Sequence, residues 1–204
     1  MYCETKNVKG HFRVTSAPIV LPDHIKPLTT QYSNFWTFRP GTSAPGVGNL
    51  VYIVFPDAGY VNVSGLTHFD SGPLAIKFCT ERFNISESEV SDFAVDSSTA
   101  SGLFDVCPSA GADLPGLFSK IISGEEKLKY PCTISIRPHY FPSALIRPKS
   151  ALKGTVATCI IFSNGKFVVV GSKSAAQTHR TVKNLLPFFR RQSERLAAKS
   201  GKNG

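Results

Sequence analysis

Residues His139 to Phe189 read HYFPSALIRPKSALKGTVATCIIFSNGKFVVVGSKSAAQTHRTVKNLLPFF, and this stretch decides the fold. In IIFSNGKFVVV, two β-branched or aromatic runs flank Asn164-Gly165, a dipeptide that supplies the positive φ angles of a two-residue type I′ hairpin turn. After Gly171 the apolar period lengthens. Thr178, Val182, Leu185 and Phe189 fall on one helical face, while Gln177, Arg180, Lys183 and Asn184 face elsewhere. Pro187 is expected to bend or stop that helix. The segment therefore reads as a strand, a tight turn, a second strand and an amphipathic helix.

The same order of parts occurs earlier in the chain. LVYIVFPDAGYVNVSG at Leu50 to Gly65 parallels ATCIIFSNGKFVVVG at Ala157 to Gly171, with one extra residue in the turn. Upstream of each hairpin lies a strand ending in Arg-Pro: NFWTFRP at Asn34 to Pro40 and SALIRP at Ser143 to Pro148. LAIKFCTERF at Leu74 to Phe83 is the short counterpart of the closing helix. Spaced self-similarity of this kind marks a repeated structural unit. The expected division is a first repeat over residues 1–88, a second over 89–190 and a basic tail over 191–204.

Three features of the second copy carry a family resemblance: the FPxxLxR strand start at Phe141 to Arg147, the hairpin at Ile161 to Lys173, and the helix ending NLLPFF at Asn184 to Phe189. In this order the chain resembles the TATA-binding protein family. The resemblance implies an α+β fold in which two pseudo-symmetric repeats form a curved antiparallel sheet, a saddle, with helices on the convex face. It also implies a function: the concave face lies on the DNA minor groove, and pairs of phenylalanines wedge between base steps and kink the duplex.

Composition agrees with this class. The chain has 204 residues, of which 42% are hydrophobic, enough for a sizeable core, and its 16 Gly, 14 Pro and many β-branched residues favour sheet over helical bundle. Its apolar runs are too short to cross a bilayer and its first residues are no secretory signal, so a soluble, intracellular protein without a membrane partner is expected. The five cysteines, Cys3, Cys79, Cys107, Cys132 and Cys159, never fall in CxxC spacing and are expected to be buried small hydrophobes. The five histidines are scattered without metal-ligand spacing. GxSxG, HExxH and Gly-rich phosphate-loop patterns are absent, so no enzyme, cofactor or metal site is expected.

Charge is uneven. Residues 1–105 hold seven Lys/Arg against ten Asp/Glu, and residues 106–204 hold sixteen against four. A basic half points to a polyanion as its partner. Solvated-tail behaviour accounts for Arg190 to Gly204. It does not account for Arg147, Lys149, Lys153, Lys166 and Lys173, which sit on or beside the expected strands and are the candidate phosphate contacts.

Carried onto this chain, the resemblance makes Phe141 and Phe162 the wedge pair of the second repeat, places Val168 and Val170 on the same groove-facing side, and sets Lys166 and Arg147 against backbone phosphates. The first repeat departs from the pattern. Phe55 keeps the hairpin phenylalanine, but Ser33 stands where its partner is expected, with only Tyr32 and Phe35 nearby, so one wedge is expected to be missing. The turn lysine becomes Tyr60, and the groove-facing apolar positions become Asn62 and Ser64, whose amide and hydroxyl can bond base edges but give no apolar contact. A groove-reading asparagine of the family falls at Asp92, whose carboxylate a phosphate-lined groove would repel.

In the family, the loop before Phe141 carries glutamates that dock initiation factor IIB. Here it reads SIRPHYFP, so Arg137, His139 and Tyr140 are the candidate partner contacts, and reversed charge would select a co-adapted acidic partner. The resemblance thus implies a divergent, nuclear TATA-binding protein with double-stranded DNA, initiation factors of the IIB and IIA type and the RNA polymerase machinery as partners. A second reading is a saddle that has lost DNA bending and serves as an interaction scaffold. A third, the saddle as the substrate-positioning part of a glycosylase or ribonuclease H, is disfavoured because 204 residues are expected to leave no room for a catalytic domain.

Overall fold

The computed structural model describes residues 2–40, 47–104, 132–136, 143–149, 154–162 and 165–200. The chain divides into two compact units: Thr5–Ser98, here the first unit, and Thr99–Gly204 with Met1–Glu4, the second. No helix among the described residues is long and apolar enough to cross a membrane.

The first unit contains β1 (Tyr2–Arg13) from Thr5 onward, β2 (Thr29–Gln31), β3 (Trp36–Phe38), β4 (Val47–Phe55) and β5 (Tyr60–Leu66), helix α1 (Gly72–Phe83), and the start of β6 (Ala94–Leu103). Its antiparallel strands run in the order β2-β3-β4-β5-β1. Alternation decides the faces. Tyr52, Val54, Val61 and Val63 point to one side and are buried with Phe12, Phe38 and Leu66. Helix α1 covers that side with Ala75, Cys79 and Phe83. The Tyr52 hydroxyl donates to the Ala75 carbonyl at 2.9 Å, so the phenol enters the core with its polar end satisfied. The helix ends where Asn84 turns left-handed (φ 54°) and donates its N–H to Thr80.

The second unit contains the end of β6, then β7 (Cys132–Ile136), β8 (Ser143–Pro148), β9 (Thr158–Phe162), β10 (Lys166–Ser172) and helix α2 (Ala175–Ser200). Strands β7 to β10 pair antiparallel in the order β10-β9-β8-β7. Ala144, Ile146, Cys159, Ile161, Phe167 and Val169 face the helix and are buried with Val182 and Leu185. Thr181 locks helix to sheet: its hydroxyl oxygen accepts the Ala157 N–H at 2.8 Å and its proton goes to the Gln177 carbonyl at 2.8 Å.

Several expectations change here. Three residues, not two, separate β9 from β10, because Phe167 pairs with Ile161. The Gly165 N–H donates to Phe162 O at 3.0 Å, and Gly165 is left-handed at φ 80°. That is the pattern of a three-residue loop closed by a glycine bulge. Asn164 lies outside the described residues. The first hairpin carries four loop residues, Pro56 to Gly59, one more than the second as the sequence comparison expects.

Helix α2 does not stop at Pro187 but runs on to Ser200. An internal proline costs about 3 kcal/mol through its lost N–H bond, and burial of Val182 and Leu185 at 1% and 0% exposure anchors the turns before it. Gln177 is not turned to solvent. It is buried because its side-chain oxygen accepts the Lys173 N–H at 2.7 Å, satisfying backbone at the helix start. Among the cysteines, Cys79 and Cys159 are buried as expected, Cys132 is half-buried and Cys3 is exposed.

Candidate nucleic-acid interface

In each unit the helix covers one side of the sheet and leaves the other open. On the second unit's open side, β8, β9 and β10 present Leu145, Ile160, Phe162 and Val168 half-buried and Arg147, Lys166 and Val170 exposed. Val170 retains 39% of its surface. The registers bring these side chains together: Ser143 lies across from Phe162, Leu145 from Ile160, Ile160 from Val168, and Thr158 from Val170. Residues directly opposite on one face of an antiparallel pair are in contact distance. An apolar row thus lies between cationic side chains. Arg147, Lys173, Thr158, Val170 and Gln177 also line one depression of about 310 Å³. Lys149 is exposed just past β8.

On the first unit's open side the registers place Ile53 across from Asn62, Val51 from Ser64, and Phe55 from Tyr60. These are the positions that Ile160/Val168, Thr158/Val170 and Phe162/Lys166 hold in the other unit, so the sequence alignment of the two hairpins is correct residue for residue. The preceding strands agree too, because Phe38 pairs with Tyr52 as Ile146 pairs with Cys159.

The expected gap at Ser33 is filled from another position. Phe35 stacks on Tyr32 at 4.5 Å and lies 5.6 Å from the Phe55 ring. Phe55 in turn lies 6.3 Å from Tyr60. Tyr60 is stacked on His11 at 4.9 Å and carries the Arg13 guanidinium 5.7 Å above its ring. Partial burial, with the Asp96 carboxylate nearby, holds the Tyr60 phenol above its ordinary range, and Arg13 opposes the shift.

A hydrogen-bonded pair crosses this side as well: His11 Nδ1 lies 2.8 Å from Asp96 Oδ1. No local sequence pattern joins the two residues, which lie 85 positions apart. Asp92, by contrast, precedes β6 rather than lying in a strand, and its carbonyl accepts the Ser91 hydroxyl at 3.3 Å. Phe141, Lys153 and the candidate partner contacts Arg137, His139 and Tyr140 lie outside the described residues.

Residues 125–192 match the family model described as transcription factor TFIID, or TATA-binding protein (TBP). Over the chain as a whole, the fold matches that of the Methanococcus jannaschii TBP with a TM-score of 0.65, covering 94% of this chain and 99% of that one. The chain has a TBP-like fold. Identity to the archaeal TBP is 18%, so that likeness is one of fold. No curated protein matches the chain in sequence. The sequence match falls on β7 to β10 and most of α2, the half in which the TBP-like open side is apolar and basic.

Proposed function

We propose that this TBP-like protein is a divergent TATA-binding protein that binds promoter DNA through the minor groove and nucleates assembly of a transcription pre-initiation complex. The observation that carries the reading is the second unit's open side. Leu145, Ile160, Phe162, Val168 and Val170 form an apolar row that a free surface has no reason to keep, and Arg147 and Lys166 stand beside it. A minor groove opened by an aromatic wedge offers base and sugar edges between two lines of phosphates, which fits that pattern.

In this reading Phe162, with Phe141, wedges one base step. Val168 and Val170 lie on the groove floor, and Arg147, Lys149, Lys166 and Lys173 meet phosphates. The first unit contributes Phe55, Asn62 and Ser64, and Phe35 now joins them. Arg137, His139 and Tyr140 are the docking residues for co-adapted factors of the IIB and IIA type that lead to RNA polymerase, and the site of action is the nucleus. Titration of the full chain with labelled duplexes at several salt concentrations tests this. Salt-dependent binding is expected, and no binding to any duplex at low salt would overturn it.

A scaffold without DNA bending is the second reading. Asn62, Ser64 and the His11–Asp96 pair favour it, because they put neutral polar groups and a carboxylate where the second unit carries valines and cations.

A further inference from the structure

We propose that the two open sides read different base pairs: the first unit's accepts G·C pairs in the minor groove through Asn62 and Ser64, and the second unit's excludes them. The inference rests on the DNA-binding reading and names its specificity. A·T and T·A pairs offer the minor groove only acceptors, whereas G·C adds the guanine N2 amino donor. Against Val168 and Ile160 that donor loses water and gains no partner, and on these two strands only the Thr158 hydroxyl, across from Val170, can accept it. An unpaired buried donor of this kind lowers affinity by about 10- to 100-fold per base pair.

The first unit carries different chemistry at the same positions. Asn62 stands where Val168 stands, across from Ile53 as Val168 is across from Ile160, and Ser64 stands where Val170 stands. Asn62 Oδ1 and Ser64 Oγ can each accept the guanine amino proton, and the Asn62 amide and Ser64 hydroxyl can donate to the ring nitrogen and carbonyl that every base pair presents. Among the described residues neither side chain has a hydrogen-bond partner. Both line a depression of about 250 Å³ with Val51, Ile53, Lys9 and Asp96. Asp96 adds acceptor character, its carboxylate lies 2.8 Å from His11 Nδ1, and Lys9 lines the same wall.

Mere solvation of a surface strand does not account for the placement. Val51, Ile53 and Phe55 on the facing strand are all apolar, and Asn62 and Ser64 stand where the other unit carries the valines Val168 and Val170.

The test recovers duplexes bound by the full chain from a random-sequence pool, then measures affinity for single A·T to G·C changes along the recovered site. G·C is expected to cost about twofold or less in one part of the site and about 10- to 100-fold in the other. The double variant Asn62→Val, Ser64→Val should make both parts reject G·C, and Val168→Asn, Val170→Ser should make both accept it. Circular-dichroism melts confirm that each variant is folded. A wild-type chain that rejects G·C evenly across its site, or folded variants with unchanged profiles, would overturn the inference and leave DNA binding standing. Recovery of no duplex above background would remove the DNA-binding reading and this inference with it.

Discussion

Phe35 lies beside Phe55, ring centroids 5.6 Å apart and planes tilted by 40°, although the sequence puts Ser33 where an aromatic partner is expected. Trp36 pairs with Val54, so the next position back, Phe35, falls opposite Phe55. The first unit therefore has an aromatic pair of its own, built across two strands.

That pair changes the expected bend in bound DNA. A single aromatic opposite a serine would not recover the roughly few kcal/mol that unstacking a base step costs, whereas two adjacent rings can. Phe35→Ala and Phe55→Ala are each expected to reduce the bend, read by fluorescence transfer between dyes at the two duplex ends, and Phe162→Ala to reduce it independently. If both first-unit substitutions leave the bend intact while Phe162→Ala abolishes it, the first unit does not wedge.

Thr181 offers a stability test in the other unit. Its oxygen accepts the Ala157 N–H in a fully buried setting, so Thr181→Val keeps the shape and strands a backbone donor. The expected loss is about 1–3 kcal/mol with an unchanged denaturant slope in urea unfolding. A loss below about 0.5 kcal/mol would mean that the donor finds another partner.

Alkaline pH should destabilise the first unit. Burial pushes the Cys79 thiol up to about 12 from an ordinary 9.0, and raises the buried Tyr52 phenol from its ordinary 10.0. Both groups stay protonated in the folded chain at pH values where the unfolded chain has released their protons. Their contribution is therefore complete below pH 9 and is lost as pH rises, by about 1.4 kcal/mol per unit for each group once past its ordinary value. Tyr52→Phe, which also removes the bond to Ala75, should lower stability by about 1 kcal/mol at neutral pH and make the decline above pH 10 shallower. Urea melts across this range give both slopes, and parallel slopes would contradict the assignment.

Much of this was readable from residues because local rules governed it. The two hairpins, the Arg147-Pro148 strand end and the short helix after the first hairpin follow from alternation and turn residues, and the registers bear them out, whereas β3 stops at Phe38, before Arg39. What escaped depends on tertiary packing. Pro187 lies inside a helix because buried leucine and valine hold the turns before it. Gln177 is buried because a backbone N–H needs its oxygen. His11 and Asp96 meet across 85 positions of sequence, a distance no motif spans. Phe35 was within reach, since counting back along the strand from Arg39 and Pro40 in cross-strand register leads to it.

The central claim, that the second unit's open side grips duplex DNA by its phosphates, is tested most directly by the salt dependence of binding in the Lys166→Ala and Arg147→Ala variants. Each lost phosphate contact should weaken binding to all sequences alike and reduce the slope of log affinity against log salt by about one unit. The double variant should lose about two units of slope. If neutralising both side chains leaves affinity and slope as they are in the unaltered chain, the second unit does not hold DNA through this side.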